Sequence, residues 1–229
     1  MKINLVLIAI ASFYVFAACN NSGETTPTSI DSTSLHTDTS SLHNDTAMGS
    51  SSHMQGTTAG GPGLMKAMSD MMSKMKAVPM SGDFDADFAN MMIEHHQGGI
   101  DMSQMEVSQG KDEKMKSKAQ EIVTKQKEEQ QKLRELVASY KPSGMKHGEG
   151  ELGKSMTAMM DQMKAMPMTN DVDKDFATMM MHHHEHGVSM AKMEVEHGMS
   201  DKLKQMAKKM IDDQQKDIKE FQTWLDTKK

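Results

Sequence analysis

Apolar positions recur at helical spacing along most of this chain, and the whole arrangement occurs twice. Met65, Met68, Met71, Met72 and Met75 share one face of a short helix that Pro79 brings to an end. A second, longer helix runs from Asp83 or Asp85, either of which can cap it, to Gly110, read as a C′ glycine. A third starts near Asp112 and carries Ile122, Val123, Leu133 and Leu136. The order then begins again. Met156, Met159, Met160 and Met163 precede Pro167, a long helix spans Asp171 or Asp173 to Gly198, and another starts near Ser200 with Met206, Met210, Ile211, Phe221 and Trp224. No stretch alternates with period two, so no strand is predicted.

The recurrence is a duplication with a fixed shift of 88 residues. Met75-Lys-Ala-Val-Pro79-Met80 returns as Met163-Lys-Ala-Met-Pro167-Met168, and Asp87-Phe88-Ala89-Asn-Met91-Met92 as Asp175-Phe176-Ala177-Thr-Met179-Met180. The shift needs no gap out to Leu136 over Trp224. Two long helices per unit make four, which predicts an all-α fold: one pseudo-twofold four-helix bundle with the short helices packed on it. The repeats are read as residues 64–140 and 151–229, joined by a linker at 141–150 around Pro142.

The segment before the repeats has a different character. Lys2 precedes an apolar run from Ile3 to Ala18, too short to span a bilayer with ease, and the run ends in Phe16-Ala17-Ala18-Cys19. These residues resemble the lipobox of bacterial lipoproteins, in which the Cys is lipidated after cleavage; Phe16 departs from the usual Leu. The resemblance implies a signal peptide at 1–18, lipidation of Cys19 and a membrane contact through the lipid. The protein would then lie outside the cytoplasm, on the periplasmic side, with the outer membrane the favoured location. Residues 19–63 are rich in Ser, Thr and Gly and hold few large apolar residues, which predicts a disordered tether. His36, His43, His53, Met48 and Met54 lie in it and are read as solvated linker residues.

Composition narrows the possible functions. The formal net charge is −6 and aromatics are 4% of residues, which argues against nucleic acid as a partner and against a base-stacking surface. There are 29 Met. Methionine does leucine's packing work in a helix, but it also brings a thioether, a soft metal ligand.

The second helix of each unit concentrates the candidate chemistry. Phe88, Met91, His95, Met102 and Met105 point one way at 100° per residue, with Met92 and His96 at the edge of that stripe. In the copy, Phe176, Met179, His183, His186, Met190 and Met193 lie on the corresponding face, beside Met180 and His184. His182 faces away, and His197 ends the stripe where a cation complements the helix dipole. Thioether and imidazole without thiolate point to copper, with Cu(I) favoured and Cu(II) acceptable to the histidines, or to Ag(I) as a soft mimic. The Met stripes of the short helices suit core packing and ligation equally. Gly98 and Gly99, in mid-helix, predict a close helix approach or access to the site. The charged run from Lys125 to Glu135 is read as a solvated face.

The stretch Phe88-Ala-Asn-Met-Met-Ile-Glu-His-His-Gln-Gly-Gly-Ile-Asp-Met102 resembles the signature of the bacterial family known as domain of unknown function 305, and both repeats carry it. The resemblance implies a ferritin-like helical bundle and copper binding in the periplasm. It makes His95, His96, Met91, Met92 and Met102 metal-site candidates, with His183, His184, Met179, Met180 and Met190 their counterparts. The copy departs in having His182 and His186 where the first unit has Glu94 and Gly98. The expected function is a copper buffer, scavenger or chaperone without catalysis, with a copper-transport protein as the kind of partner it would serve. The competing expectation is a ferritin-like oxidase or ferroxidase. That needs two Glu-x-x-His pairs, and only Glu194-Val-Glu-His197 has the spacing, against Glu106-Val-Ser-Gln109 in the first unit. A structural lipoprotein with a plain Met core is the third.

Overall fold

The computed structural model describes residues 61–141 and 150–228. The signal peptide, Cys19, nearly all of the tether with its His and Met residues, and most of the linker lie outside the described residues. What is described is helical, with no strand: α1 Gly61–Ala77, α2 Phe84–Gln109, α3 Glu113–Ser139, α4 Glu151–Ala165, α5 Val172–His197 and α6 Asp201–Asp226. No helix among these residues is long and apolar enough to cross a membrane.

Local chemistry sets the ends of the helices. Asp83 caps α2 by accepting from Ala86 N at 3.2 Å, and Asp171 caps α5 by accepting from Lys174 N at 3.2 Å. Asp112 caps α3 through Lys114 N and Met115 N, and Ser200 caps α6 through Leu203 N. Helices α1 and α4 stop two residues before Pro79 and Pro167. Two boundaries differ from the sequence reading. Helix α1 begins at Gly61, inside the stretch read as tether, because Gly61 is buried against Met168 and Asp175. Gly110 and Gly198 are extended, with φ near −60°, and not left-handed. Glycine is required there for space: a Cβ would lie 2.2 Å from Glu106 Oε1 at Gly110 and 2.3 Å from Glu194 Oε1 at Gly198.

Helices α2 and α3 form one hairpin and α5 and α6 the other; α2 packs on α5, α1 covers α2, and α4 covers α5. The result is an all-α bundle of two repeats around one core. Phe88, Phe176, Phe221, Met92, Met102, Met179, Met180 and Met190 are each fully enclosed in it. The α1 methionines Met68, Met71, Met72 and Met75 are buried, whereas in α4 only Met159 is, so α1 is the better covered of the short helices. The supposed solvated face of α3 is partly internal: Gln126, Glu129 and Gln130 are buried, and Gln130 Nε2 donates to Ile93 O at 2.9 Å.

The repeats are also tied together by their acidic residues. Asp85, in the first turn of α2, accepts from Met199 N at 2.9 Å and Ser200 N at 2.8 Å in the turn before α6. Its counterpart Asp173 accepts from Lys111 N at 2.9 Å and Asp112 N at 2.8 Å in the turn before α3. Each repeat thus satisfies backbone amides that the other leaves open. Behind each aspartate is a buried glutamate, Glu194 beside Asp85 and Glu106 beside Asp173. Burial, reinforced by the neighbouring aspartate, raises Glu106 to about 8 and Glu194 to about 9. Burial thus favours the neutral acid at both glutamates near pH 7.

Two outcomes follow from this arrangement. Residues 61–141 expressed alone lose the backbone donors Met199 and Ser200 of Asp85 and expose the α5-facing side of α2, so sedimentation should show a homodimer or aggregate and no stable monomer. Because both carboxyls are raised, their contribution to stability is full below the ordinary carboxyl value of 4.5 and is lost as pH rises through about 8 and about 9. Urea unfolding midpoints should fall between about pH 7 and about pH 9, a window above the ordinary histidine range. The E106Q/E194Q double variant, whose amides do not ionise, should remove most of that slope.

Candidate metal centre

Helices α2 and α5 cross antiparallel, and the crossing is built on glycine. A Cβ on Gly99 would lie 2.2 Å from Gln126 Oε1 and 2.8 Å from His183 Cε1; one on Gly187 would lie 2.4 Å from Gln214 Oε1 and 3.1 Å from His95 Cε1. Residue 99 therefore sits against 183 and residue 187 against 95, which confirms the close approach expected at Gly99. The same register sets Met92 opposite Met190 and Met102 opposite Met180, so methionines bracket the histidines on both sides. Met105 and Met193 are not brought to the cluster. They are half-buried, and each lies ten residues beyond His95 or His183, about 15 Å along the helix.

His95, His96, His183, His184 and His186 are all buried. His95 stacks on His183 across the crossing, with ring centroids 3.8 Å apart and planes 22° apart. His96 and His184, read from the sequence as edge positions, face the third helix of their own repeat. His96 Nε2 donates to Glu129 Oε2 at 2.9 Å, and His184 Nε2 donates to Asp217 Oδ2 at 3.3 Å. Glu129 and Asp217 are themselves related by the 88-residue shift. Asp217 is further bound by Lys118 Nζ at 2.6 Å; burial alone would raise its carboxyl, but the bonds from His184 and Lys118 bring it down to about 2. Lys118 has Met206 as its counterpart, so Glu129 has no matching lysine.

These bonds fix the ring tautomers. A carboxylate accepts, so Nε2 of His96 and of His184 carries the hydrogen and Nδ1 keeps its lone pair. His183 Nε2 donates to His95 O at 3.0 Å, which leaves its Nδ1 bare as well. The Nδ1 atoms of His183 and His184 then face each other at 3.4 Å, with no hydrogen between the two neutral rings. His96 Nδ1 and both nitrogens of His95 have no hydrogen-bond partner. Adding a proton is opposed: burial, then neighbouring imidazoles, hold His95 and His183 well below the usual histidine range, and burial lowers His184 against the pull of Asp217. Burial also lowers His186, to about 4.

Bare imidazole nitrogens enclosed among thioethers suit a soft cation. Two nitrogens 3.4 Å apart can each reach an ion at about 2.0 Å with an open angle between the bonds. Among the described residues, no group of three His, Cys, Asp or Glu side chains is placed to hold a metal ion. The oxidase set is dispersed instead: Glu194 sits beside Asp85, whereas His197 pairs with Glu151 at 3.0 Å and meets Phe84 edge-on. His182 lies half-exposed and pairs with Glu185 at 2.8 Å, away from the centre as expected.

The crossing makes a sharp prediction about glycine. Gly99→Ala and Gly187→Ala should each destabilise the fold by about 1–3 kcal/mol through overpacking against Gln126 or Gln214. Gly153, in α4, has nothing within 4 Å of its Cβ position, so Gly153→Ala should be neutral or stabilising by up to about 1 kcal/mol. Chemical denaturation of the three variants makes the comparison.

No curated protein and no solved structure matches this chain. Two consecutive segments, residues 29–137 and 138–225, do match one family. The first begins within the stretch read as tether, and the second spans the whole of α4, α5 and nearly all of α6. Two matched segments over two structural repeats leave no doubt of the kinship: the chain belongs to the family described as Domain of unknown function (DUF305).

Proposed function

We propose that this protein binds copper outside the cytoplasm, carrying Cu(I) as cargo in buried imidazole–thioether sites for buffering, scavenging or transfer. The observation that carries the reading is the His183–His184 pair, whose bare Nδ1 atoms face each other at 3.4 Å while their Nε2 atoms are engaged as donors. An arrangement of lone pair against lone pair is unfavourable until a cation lies between them. Softness selects the cation: thioether ligands favour Cu(I) and Ag(I) over hard ions and add little for Zn²⁺. Asp217 and Glu129 act as positioning residues. By accepting from Nε2 they hold each ring with Nδ1 inward and make that nitrogen a better donor to an ion. Copper as the ion, the extracytoplasmic location and the lipid anchor at Cys19 belong to this proposal, as does a copper-transport protein as the recipient of the cargo.

Competition against chelators, with native mass spectrometry for stoichiometry, tests it. Cu(I) and Ag(I) should be retained far more tightly than Zn²⁺. H184Q should remove an ion, and D217N should weaken retention by about 10–100-fold with helical content unchanged. Equal retention of Zn²⁺ by the parent, or full Cu(I) retention by H184Q, would overturn the assignment.

A further inference from the structure

The 88-residue symmetry alone would pair His95 with His96 just as it pairs His183 with His184. One residue breaks that symmetry. His186 stands where the first repeat has Gly98, and its buried ring lies against His95 of the other repeat, with centroids 5.2 Å apart and planes 33° apart. Neither nitrogen of His95 is hydrogen-bonded. The Ser155 backbone on α4 lies beside the His186 ring, and neither ring nitrogen meets hydrogen-bond geometry.

The distances discriminate among the partners open to His95. A neutral imidazole has one lone pair to give, so it ligates one ion. Rings bound through nitrogens about 2.0 Å from a shared ion have centroids roughly 5 Å apart at a tetrahedral angle, which His95 and His186 meet. His95 and His183 are stacked at 3.8 Å, so their lone pairs run side by side in near-parallel planes and do not converge. His95 and His96 are 6.3 Å apart, a separation that demands an almost linear ion.

The surroundings favour the same pair. A cavity of about 390 Å³ between α1, α4 and the start of α2 is lined by Met75, Met80, Met91 and Met156. Met91 precedes His95 by one helical turn, and Met156 follows Ser155, the residue beside His186. The cavity therefore opens at the surface, where Met80 is exposed, and brings thioethers to within one helical turn of His95 and one residue of Ser155, although neither histidine lines it. No twin site exists in the first repeat, because the space beside Gly98 is filled by Met71, whose Sδ lies 2.5 Å from where a Cβ would stand.

We propose that His95 and His186, with the thioethers of Met91 and Met156, form a single additional site between the repeats for one soft monovalent cation. It rests on the copper reading above and makes the repeats inequivalent: His183 and His184 hold cargo within the second repeat, while His95 is turned away from His96 to serve the junction.

Ag(I) and Cu(I) stoichiometry of the full chain, by native mass spectrometry under chelator competition, tests the pairing. H186Q and H95Q should each lose one ion per chain, the H95Q/H186Q double variant should lose no more than either, and H96Q should keep that ion. His186→Gly, which restores the residue of the first repeat, serves as a second variant, with circular dichroism reporting the fold. Parent-like stoichiometry and competition in H186Q and His186→Gly would overturn the site while leaving the copper reading intact if H184Q still loses its ion. So would additive losses in H95Q/H186Q. A parent chain that retains neither Ag(I) nor Cu(I) would overturn both.

Discussion

The antiparallel crossing of α2 and α5 is the constraint on which the rest depends. It places the imidazole of one repeat in the space that a side chain on the other would occupy, at Gly99 and at Gly187. Two helices with ordinary side chains at those positions could not approach so closely, and the histidines would then be surface residues with water for partners. Close approach instead drives them into the dry centre, stacks His95 on His183 and lets the two halves share one core. The aspartates that cap the turns of the opposite repeat serve the same geometry from the ends of the helices, holding the crossing in register.

Burying five imidazoles has a consequence for polar bookkeeping. A buried polar atom without a partner costs roughly 1–3 kcal/mol, and here several ring nitrogens have no hydrogen-bond partner. The third helices relieve part of that cost. Glu129 and Asp217 take one hydrogen each from His96 and His184, and Lys118 neutralises Asp217 within the bundle. What they leave untouched is a set of inward lone pairs of fixed direction. Such a centre is poor at accepting protons, since charge without a counter-ion is strongly opposed there. It is well suited to a cation that brings strong bonds to nitrogen and sulfur.

Much of the fold was legible because duplication repeats every local signal. Asp83 and Asp171 as caps, Pro79 and Pro167 as stops, and the 88-residue shift each predicted a feature that the bundle contains. The centre was legible in composition but not in geometry. Helical period assigns a residue to a face and says nothing of the ring's rotation, so the stacking of His95 on His183 and its approach to His186 could not be read from the sequence. Glu129 was lost in a charged run that reads as solvated, since burial on a mostly polar helix comes from the neighbour and not from the helix itself. A signal did exist: Glu129 and Asp217, Gln126 and Gln214, and Glu106 and Glu194 all recur at the same shift, and polar residues repeated at inward positions are hard to explain as surface. Gly110 misled in the opposite sense, since the buried Glu106 behind it, and not a left-handed turn, excludes a side chain.

Methionine resolves the tension between a stable empty fold and a reversible site. A thiolate centre would leave charges to bury when the ion departs, and an all-histidine centre would leave only polar atoms. A thioether with no ion bound is simply a flexible apolar side chain, able to fill the gap with small losses in packing. The core around the histidines is made largely of such residues, and Met92, Met102, Met180 and Met190 are enclosed whether or not they ligate anything. On the proposed reading, folding energy and binding energy are thereby separated: helix packing and the cross-repeat aspartates hold the bundle, and an ion would add to a fold already made. That separation is what the proposed carrier of exchangeable cargo requires, in contrast to a domain that its metal must assemble.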